Sequence, residues 1–155
     1  MDQAPAHEAS ATPAARDAKT AAILRVLHAF ADAYSRRDLD GVMAHFAPGD
    51  TPVLFGTGPD ERRIGYEQIR AQIQRDFDQS EAITITWGWH TISVTGRLAW
   101  VAAEAQIHAR IQGHSLEVPL RVTFICEQRK QAWLVVQGHL SSPMPGQAPG
   151  HSFPG

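Results

Sequence analysis

The chain has 155 residues, and its 14 Lys and Arg nearly balance its 16 Asp and Glu. This length suits one domain with a substantial core and leaves too little chain for two independent domains. The near-balance of charge lacks the basic excess of proteins that bind nucleic acid or anionic membranes, so neither partner is expected. The single cysteine, Cys126, excludes a disulfide framework within one chain.

The start of the chain carries neither the basic segment nor the apolar run of a secretion signal. No stretch of the sequence reaches the length of apolar residues that a membrane span requires. We therefore expect a cytoplasmic protein that makes no contact with a membrane.

The first half of the chain predicts a tail followed by helices. Residues 1–17 are rich in Ala and Pro and have no periodic apolar face, which predicts a disordered tail. A helix is expected after Asp17 as N-cap, with an apolar stripe at Ile23, Leu27, Phe30 and Tyr34. A second, short helix is expected after Asp38, and a third after Gly65.

The second half of the chain predicts strands. A short strand at 51–57 precedes the third helix, and residues 58–65 form a polar loop. Asp60 and Glu61 are expected on a mobile loop at the mouth of a cavity. After Ser80 the apolar period changes to two, which predicts four strands at 82–94, 98–112, 115–128 and 132–142. Their short connections are typical of antiparallel hairpins. Helices followed by a meander predict an α+β domain over residues 18–143, and a Pro/Gly-rich tail is expected at 144–155.

Alternation along these strands sorts the side chains into two faces. With a turn at Gly113 and His114 and Arg121 opposite Gln137, one face carries Trp100, Glu104, Gln106, His108, Arg121, Thr123, Trp133, Gln137 and His139. The other face is apolar from Val101 to Phe124. A bulge of one residue would reverse part of this assignment. The pattern also leaves open which of Trp87 and Trp89 packs in the core.

Two interpretations of the polar face are open. It is either a solvated outer surface, or the lining of a cavity that the helices cover without filling. Aromatic residues interleaved with single charges favour the cavity, with the apolar convex face left for another subunit.

Three stretches, "DAYSRRDLDGVMAHFA", "GYEQIRAQI" and "PLRVTFICEQRKQAWLVVQGHLSSP", resemble the SnoaL-like branch of the nuclear transport factor 2-like superfamily. The resemblance spans about residues 20–143, and the closing strands are also similar to the association domain of calcium/calmodulin-dependent protein kinase II. It implies a bacterial protein with a cone-shaped, curved antiparallel sheet whose helices pack over the concave face, a nuclear transport factor 2-like or cystatin-like roll. It also implies a homodimer with a pocket between the sheet and the helices.

The resemblance matches Arg121 to an Arg that lines the pocket of the kinase association domain. Our first hypothesis is a small organic ligand, polar or anionic, whose acidic group Arg121 binds. The residues expected to contact it are Arg121, His139, Gln137, Glu104, Gln106, Trp100, Trp133 and Tyr34. The alternative is that Glu104 or Glu117 neutralises Arg121 permanently as part of the architecture.

Two further hypotheses belong to other functional classes. The protein is an isomerase, dehydratase or hydrolase in which His139 and Glu104 are the candidate catalytic residues, or it is an assembly module without a ligand. A ketosteroid isomerase site is not expected, because Phe30 stands where its Tyr would be and Leu54 and Phe55 where its base would be. No metal-ligand spacing occurs in the sequence, so neither a metal nor a cofactor is expected.

Overall fold

The computed structural model describes residues 12–155. This part of the chain forms three helices and six strands, which are α1 (Pro13–Ser35), α2 (Leu39–Met43), β1 (Val53–Phe55), β2 (Arg62–Ile64), α3 (Tyr66–Asp78), β3 (Ala82–Thr95), β4 (Leu98–Ile111), β5 (His114–Arg129) and β6 (Ala132–Ser141). The strands form one curved, open sheet in the order β2-β1-β6-β5-β4-β3. The predicted α+β class is confirmed.

The sheet departs from the predicted antiparallel meander at its short edge. β1 pairs in parallel with β6, and β2, which lies in the predicted polar loop, pairs with β1. A hairpin dictates antiparallel pairing, but β1 and β6 are far apart in sequence, so no turn sets their relative direction. The three residues of β2 are too few to show a strand period.

Helix α1 begins five residues earlier than predicted, at Pro13. Pro13 occupies the first turn, and the Thr12 hydroxyl accepts a hydrogen bond from the backbone N–H of Ala15 at 3.3 Å. Pro at this position and Thr as N-cap are both favoured at a helix start, so Asp17 lies inside the helix. The last five residues of the predicted tail, 13–17, therefore belong to α1. The rest of that prediction falls on residues 1–11, which lie outside the described residues, and on the N-cap Thr12.

The helices cover the apolar face of the sheet. Its central part carries buried Val101, Ala103, Ala105, Leu120, Val122 and Phe124. The same core contains the helical residues Ile23, Leu27, Phe30, Ile69, Ile73 and Phe77. The preferred interpretation, in which the helices cover the polar face, is wrong. Burial of apolar surface stabilises the fold by about 25 cal/mol per Å², whereas burial of charged side chains without partners is costly.

The turn between β4 and β5 lies one residue earlier than predicted. Gln112 and Gly113 have φ angles of 50° and 77°, and a type I′ turn needs positive φ at both central positions. The register therefore pairs Glu104 with Arg121, and Gln106 with Pro119. Because the shift amounts to two residues in each pair, every side chain on these two strands keeps its predicted face.

A bulge reverses the face assignment within β6. Ile125 pairs with Gln137, but Cys126 pairs with Val135, so Val136 is an extra residue. Trp133 and Val135 are consequently buried on the helix-covered face, whereas Gln137 and the residues at alternate positions after it lie on the outer face. The prediction put Trp133, Gln137 and His139 on one face because it assumed unbroken alternation along the strand, and the sequence does not reveal a bulge.

A second bulge, between Trp87 and His90, settles the register of β3. Trp87 points towards α1, where its indole Nε1–H donates to the Leu27 carbonyl oxygen at 2.9 Å. Trp89 is 61% exposed. Only Trp87 of this pair therefore packs against the core. At the other end of the chain, residues 144–155 are exposed and contain turns, so they do not run as one extended segment.

Candidate functional site

A cavity lies between the helices and the covered face of the sheet. Its volume is about 230 Å³, and its sheet wall is apolar, formed by Ile83, Ile85, Ile107, Val118, Phe124 and Leu140. Ile111 and Leu116 also line it and are 38% and 46% exposed. The cavity therefore reaches solvent beside the turn that joins the end of β4 to the start of β5.

Four polar side chains, Tyr34, Glu61, Gln72 and Asp76, line another part of this cavity; we call them the polar cluster. The Tyr34 hydroxyl donates to Asp76 Oδ2 at 2.5 Å. The Gln72 amide donates to Asp76 Oδ1 at 2.8 Å and to Glu61 Oε1 at 3.2 Å. Helix α1, helix α3 and the loop after β1 thus meet through one hydrogen-bonded network.

The loop between β1 and β2 is tied to helix α3 through Glu61. Glu61 Oε2 accepts from the Gly58 backbone N–H at 2.9 Å, and Glu61 Oε1 accepts from Arg75 Nη2 at 2.8 Å. Arg75 Nη1 also donates to Asp60 Oδ2 at 2.6 Å. The sequence places Asp60 and Glu61 on a mobile loop at the cavity mouth. Instead, the Glu61 carboxylate is ion-paired and forms part of the cavity wall.

Asp76 is the carboxyl group of the cluster that has no cationic partner. Within residues 12–155, the ion pairs of this region join Arg75 to Asp60 and Glu61 and Arg63 to Asp60, and none includes Asp76. Burial raises the pKa of Asp76, and the hydrogen bonds from Tyr34 and Gln72 act in the opposite direction. Burial and the adjacent Asp76 raise the pKa of Tyr34 well above its ordinary value, so its phenol stays protonated.

Gln72 leaves one buried hydrogen-bonding atom unsatisfied. Its side chain is 4% exposed, and its Oε1 has no partner within the part of the chain that the structure describes. A buried amide oxygen without a partner costs free energy, and such groups in native proteins usually have a functional or solvent explanation.

The structure places most of the predicted ligand contacts outside this cavity. Tyr34 lines it, and Trp133 is buried in the core without lining it. The others are on the outer face of the sheet, namely Arg121, His139, Gln137, Glu104, Gln106 and Trp100. The predicted position of these six residues in a roofed cavity is wrong, because the helices cover the opposite face.

On the outer face, Arg121, Glu104 and Gln106 line an open depression. Glu104 and Arg121 are directly paired across the strands, and no ion pair joins them in the described residues. His139 lies further along the face, with its ring 5.5 Å from that of Phe55 between centroids. A ligand role for Arg121 and His139 stays a prediction.

Gln72 and Asp76 were not predicted as cavity residues, whereas Glu61 was expected at the cavity mouth. The available signal was helical spacing, since Gln72 and Asp76 are four residues apart on α3 and adjoin its apolar stripe at Ile73 and Phe77. The proximity of Tyr34 and Asp76, 42 positions apart in sequence, had no local signal.

Residues 12–155 contain neither a candidate metal cluster nor a helix able to cross a membrane. No group of three or more His, Cys, Asp or Glu side chains is arranged to hold a metal ion. None of the helices in this range has both the length and the apolar character that crossing a membrane requires.

Comparison with known families decides the identity of the fold. A family model described as the SnoaL-like domain matches residues 23–145. The chain belongs to the SnoaL-like domain family. The resemblance stated from the sequence is thereby confirmed, and no match was found among curated proteins.

Solved structures agree with this membership. A nuclear transport factor 2-like superfamily protein from Salmonella enterica is 15% identical, with a TM-score of 0.77, and 88% of this chain and 99% of that chain are covered. A candidate dehydratase of the same superfamily from Streptomyces avermitilis is 16% identical, with a TM-score of 0.75 and coverage of 83% and 99%. These two likenesses show the fold.

A third structure has higher sequence identity. It is a candidate calcium/calmodulin-dependent protein kinase II association domain from Xanthomonas campestris, 25% identical, with a TM-score of 0.71 and coverage of 88% and 94%. The sequence of the closing strands already resembled this kinase association domain, and the comparison of structures shows a similarity over most of the chain.

Proposed function

We propose that this SnoaL-like protein binds a small, largely apolar organic molecule in the cavity between its helices and sheet. The observation that carries the proposal is the polar cluster, which lines a cavity with an apolar sheet wall. The cluster contains one buried oxygen, Gln72 Oε1, that has no partner in the described residues. Ligand sites commonly combine apolar walls with a few convergent polar groups. The competing explanation is architectural, with the cluster serving only to hold the loop against α3.

Anchoring of an anionic ligand by Arg121 is a separate proposal, because it concerns the depression on the outer face. The cavity proposal does not depend on it. A cytoplasmic location also stays a prediction.

A binding experiment distinguishes the two places. We expect toluene and related small aromatic compounds to raise the melting temperature of the wild-type protein, since a ligand that binds only the folded state stabilises it. Val118→Phe fills the cavity from its sheet wall and should abolish the shift. Arg121→Ala, on the outer face of the same strand, should leave it unchanged. Loss of the shift in Arg121→Ala and its retention in Val118→Phe would place the ligand on the outer face.

A second candidate function is proton-transfer catalysis in the same cavity. The supporting observation is Asp76, a carboxyl with a raised pKa that is hydrogen-bonded to Tyr34; titratable groups with perturbed pKa values in a cleft are candidates for acid–base chemistry. One structural neighbour is a candidate scytalone dehydratase from Novosphingobium aromaticivorans. Although Phe30, Leu54 and Phe55 stand at the expected isomerase positions, Tyr34 and Asp76 supply a phenol and a carboxyl from elsewhere.

Turnover of hydroxy-ketones and epoxides tests the catalytic proposal. Asp76→Asn should abolish turnover if Asp76 transfers the proton. His139→Asn should leave turnover intact, because His139 lies on the outer face. The reverse pattern would support the sequence-based hypothesis with His139 and Glu104 and would contradict the role of Asp76.

We also propose that the protein is a homodimer that uses the outer face of the sheet. This face carries exposed Leu98 and Trp100, which are 46% and 47% accessible in one chain. Large exposed apolar side chains on a sheet face are typical of association surfaces.

A further inference from the structure

In the polar cluster, the donor groups of Tyr34 and Gln72 all form hydrogen bonds, whereas some acceptor atoms have none in the described residues. The Tyr34 O–H donates to Asp76, and the Gln72 amide N–H groups donate to Asp76 and Glu61. A phenol has one proton to donate and a primary amide has two, so these donors are fully engaged. The capacity that remains is on acceptors.

Three of these acceptors can serve a ligand. Gln72 Oε1 has no partner, and the Tyr34 oxygen keeps its lone pairs after it donates its proton. Each Asp76 oxygen accepts one hydrogen bond and can accept more. Within the polar cluster, a ligand carbonyl or carboxylate would meet oxygen atoms and no free donor, whereas a ligand N–H or O–H would be matched. Thr57 and Gln79 also line the cavity but lie outside this cluster.

The charge distribution discriminates further among donors. Arg75 binds both Asp60 and Glu61, so the cation of this region is already occupied. Asp76 has no ion pair in the described residues, although it is largely buried. A buried carboxylate is destabilised unless a cation accompanies it. A positively charged donor would satisfy both the free acceptors and the unpaired charge.

We propose that the ligand of this cavity is an organic amine, bound through its ammonium group to Asp76, Gln72 Oε1 and the Tyr34 oxygen, with its apolar body against the sheet wall. The proposal rests on the proposed cavity-binding function and specifies its ligand class. An ammonium group offers several N–H donors and no acceptor, which complements the free atoms of the cluster. The same argument disfavours contact between the polar cluster and the anionic group predicted from the sequence.

Four probes with the same aromatic ring separate the ligand classes. They are benzylamine, benzyl alcohol, benzoate and toluene, titrated into the full chain at neutral pH and followed by calorimetry and by the shift in melting temperature. We expect benzylamine to bind about tenfold or more tightly than benzyl alcohol, since an ion-paired hydrogen bond is stronger than a neutral one. Benzoate should not bind detectably.

The outcomes distinguish the two levels of the proposal. If toluene binds in the cavity but benzylamine binds no better than benzyl alcohol, the amine assignment is wrong and the binding proposal stands. Tight binding of benzoate would likewise overturn the amine assignment. If none of the four binds, both proposals fall.

Two variants test the assigned contacts. Asp76→Asn should reduce benzylamine affinity to that of benzyl alcohol while toluene affinity is retained. Asp78→Asn is the matched control, because Asp78 is on the same helix, is exposed and bonds to Gln74; it should leave all affinities unchanged. If Asp76→Asn does not fold, Tyr34→Phe serves instead and should weaken benzylamine binding but not toluene binding. Unchanged benzylamine affinity in a folded Asp76→Asn protein would overturn the proposal.

Discussion

At the scale of single residues, Asp76 is the group on which the chemistry of the cavity depends. It lies on α3, one turn after Gln72, and is hydrogen-bonded from α1 by Tyr34. Its neighbours of opposite and like charge, Arg75 and Glu61, are already bonded to each other. The acid that most influences ligand choice is therefore the one that has hydrogen-bond donors but no ion pair in the described residues.

The raised pKa of Asp76 predicts a specific dependence of stability on pH. For an acid whose pKa is higher in the folded state, the stabilising contribution is complete below its ordinary value of about 3.9 and is lost as pH rises through the folded pKa. Asp76→Asn removes this titration. The melting temperature of the variant relative to wild type should therefore increase as pH rises through that window.

Thermal unfolding across the acid range measures this effect. The titratable groups that face Asp76 are Tyr34, Glu61 and Arg75; all three are kept in both proteins, so their contributions largely cancel. Asp78→Asn should show no such trend. A constant difference between Asp76→Asn and wild type at all pH values would contradict the assigned burial of the carboxyl.

At the scale of elements, the bulge at Val136 decides which residues of β6 enter the core. It brings Gly138 to the covered face, where an added Cβ would lie 2.7 Å from Leu54 Cδ1 and 3.0 Å from Phe124 Cε1. These distances are shorter than normal van der Waals contacts, so a larger residue must displace its neighbours.

Gly138→Val should therefore lower the free energy of unfolding by about 1–3 kcal/mol, which is the usual cost of overpacking a core. Urea denaturation measures the change. Gln137→Val, at the adjacent exposed position on the outer face, is the control and should have little effect. Equal effects of the two substitutions would contradict the placement of Gly138 on the covered face and Gln137 on the outer face.

Within residues 12–155, Arg75 supplies two of the three side-chain hydrogen bonds between the β1–β2 loop and α3, and Gln72 supplies the third. Arg75→Ala removes the ion pairs with Asp60 and Glu61. Hydrogen exchange at the Gly58 amide should then speed up, because its acceptor, Glu61, is held from α3 by Gln72 alone. Arg70→Ala removes another ion pair of α3, with Asp40, and should leave Gly58 unchanged. Equal hydrogen-exchange rates at the Gly58 amide in both variants would show that the conformation of the loop does not depend on Arg75.

At the scale of the whole molecule, the outer face of the sheet predicts self-association. Trp100→Glu should convert the proposed dimer into a monomer, because it replaces an exposed aromatic side chain with a charge on the associating surface. Light scattering across a dilution series gives the mass. Phe153→Glu, in the C-terminal tail where the side chain is 79% exposed, is the control. A monomeric wild-type protein would reject the dimer.

Features that arise from neighbouring residues could be predicted from the amino-acid sequence alone. The stripe at Ile23, Leu27, Phe30 and Tyr34 predicted the inner side of α1, and the change of period after Ser80 predicted the long strands. These features could be predicted because helix and strand periods repeat within a few residues, and turns are encoded by the residues that form them. The α+β class followed from their order along the chain.

Which face of the sheet the helices cover, and which side chains meet there, became known from the three-dimensional packing and not from the sequence. Side chains alternate regularly along β4 and β5, so the sequence defines two faces. Which of the two faces the helices cover depends on the total apolar area that the helices bury. The bulge at Val136 and the parallel pairing of β1 with β6 depend on contacts between distant segments. The same holds for the approach of Tyr34 to Asp76, because packing of α1 against α3 places them together and no local pattern records it.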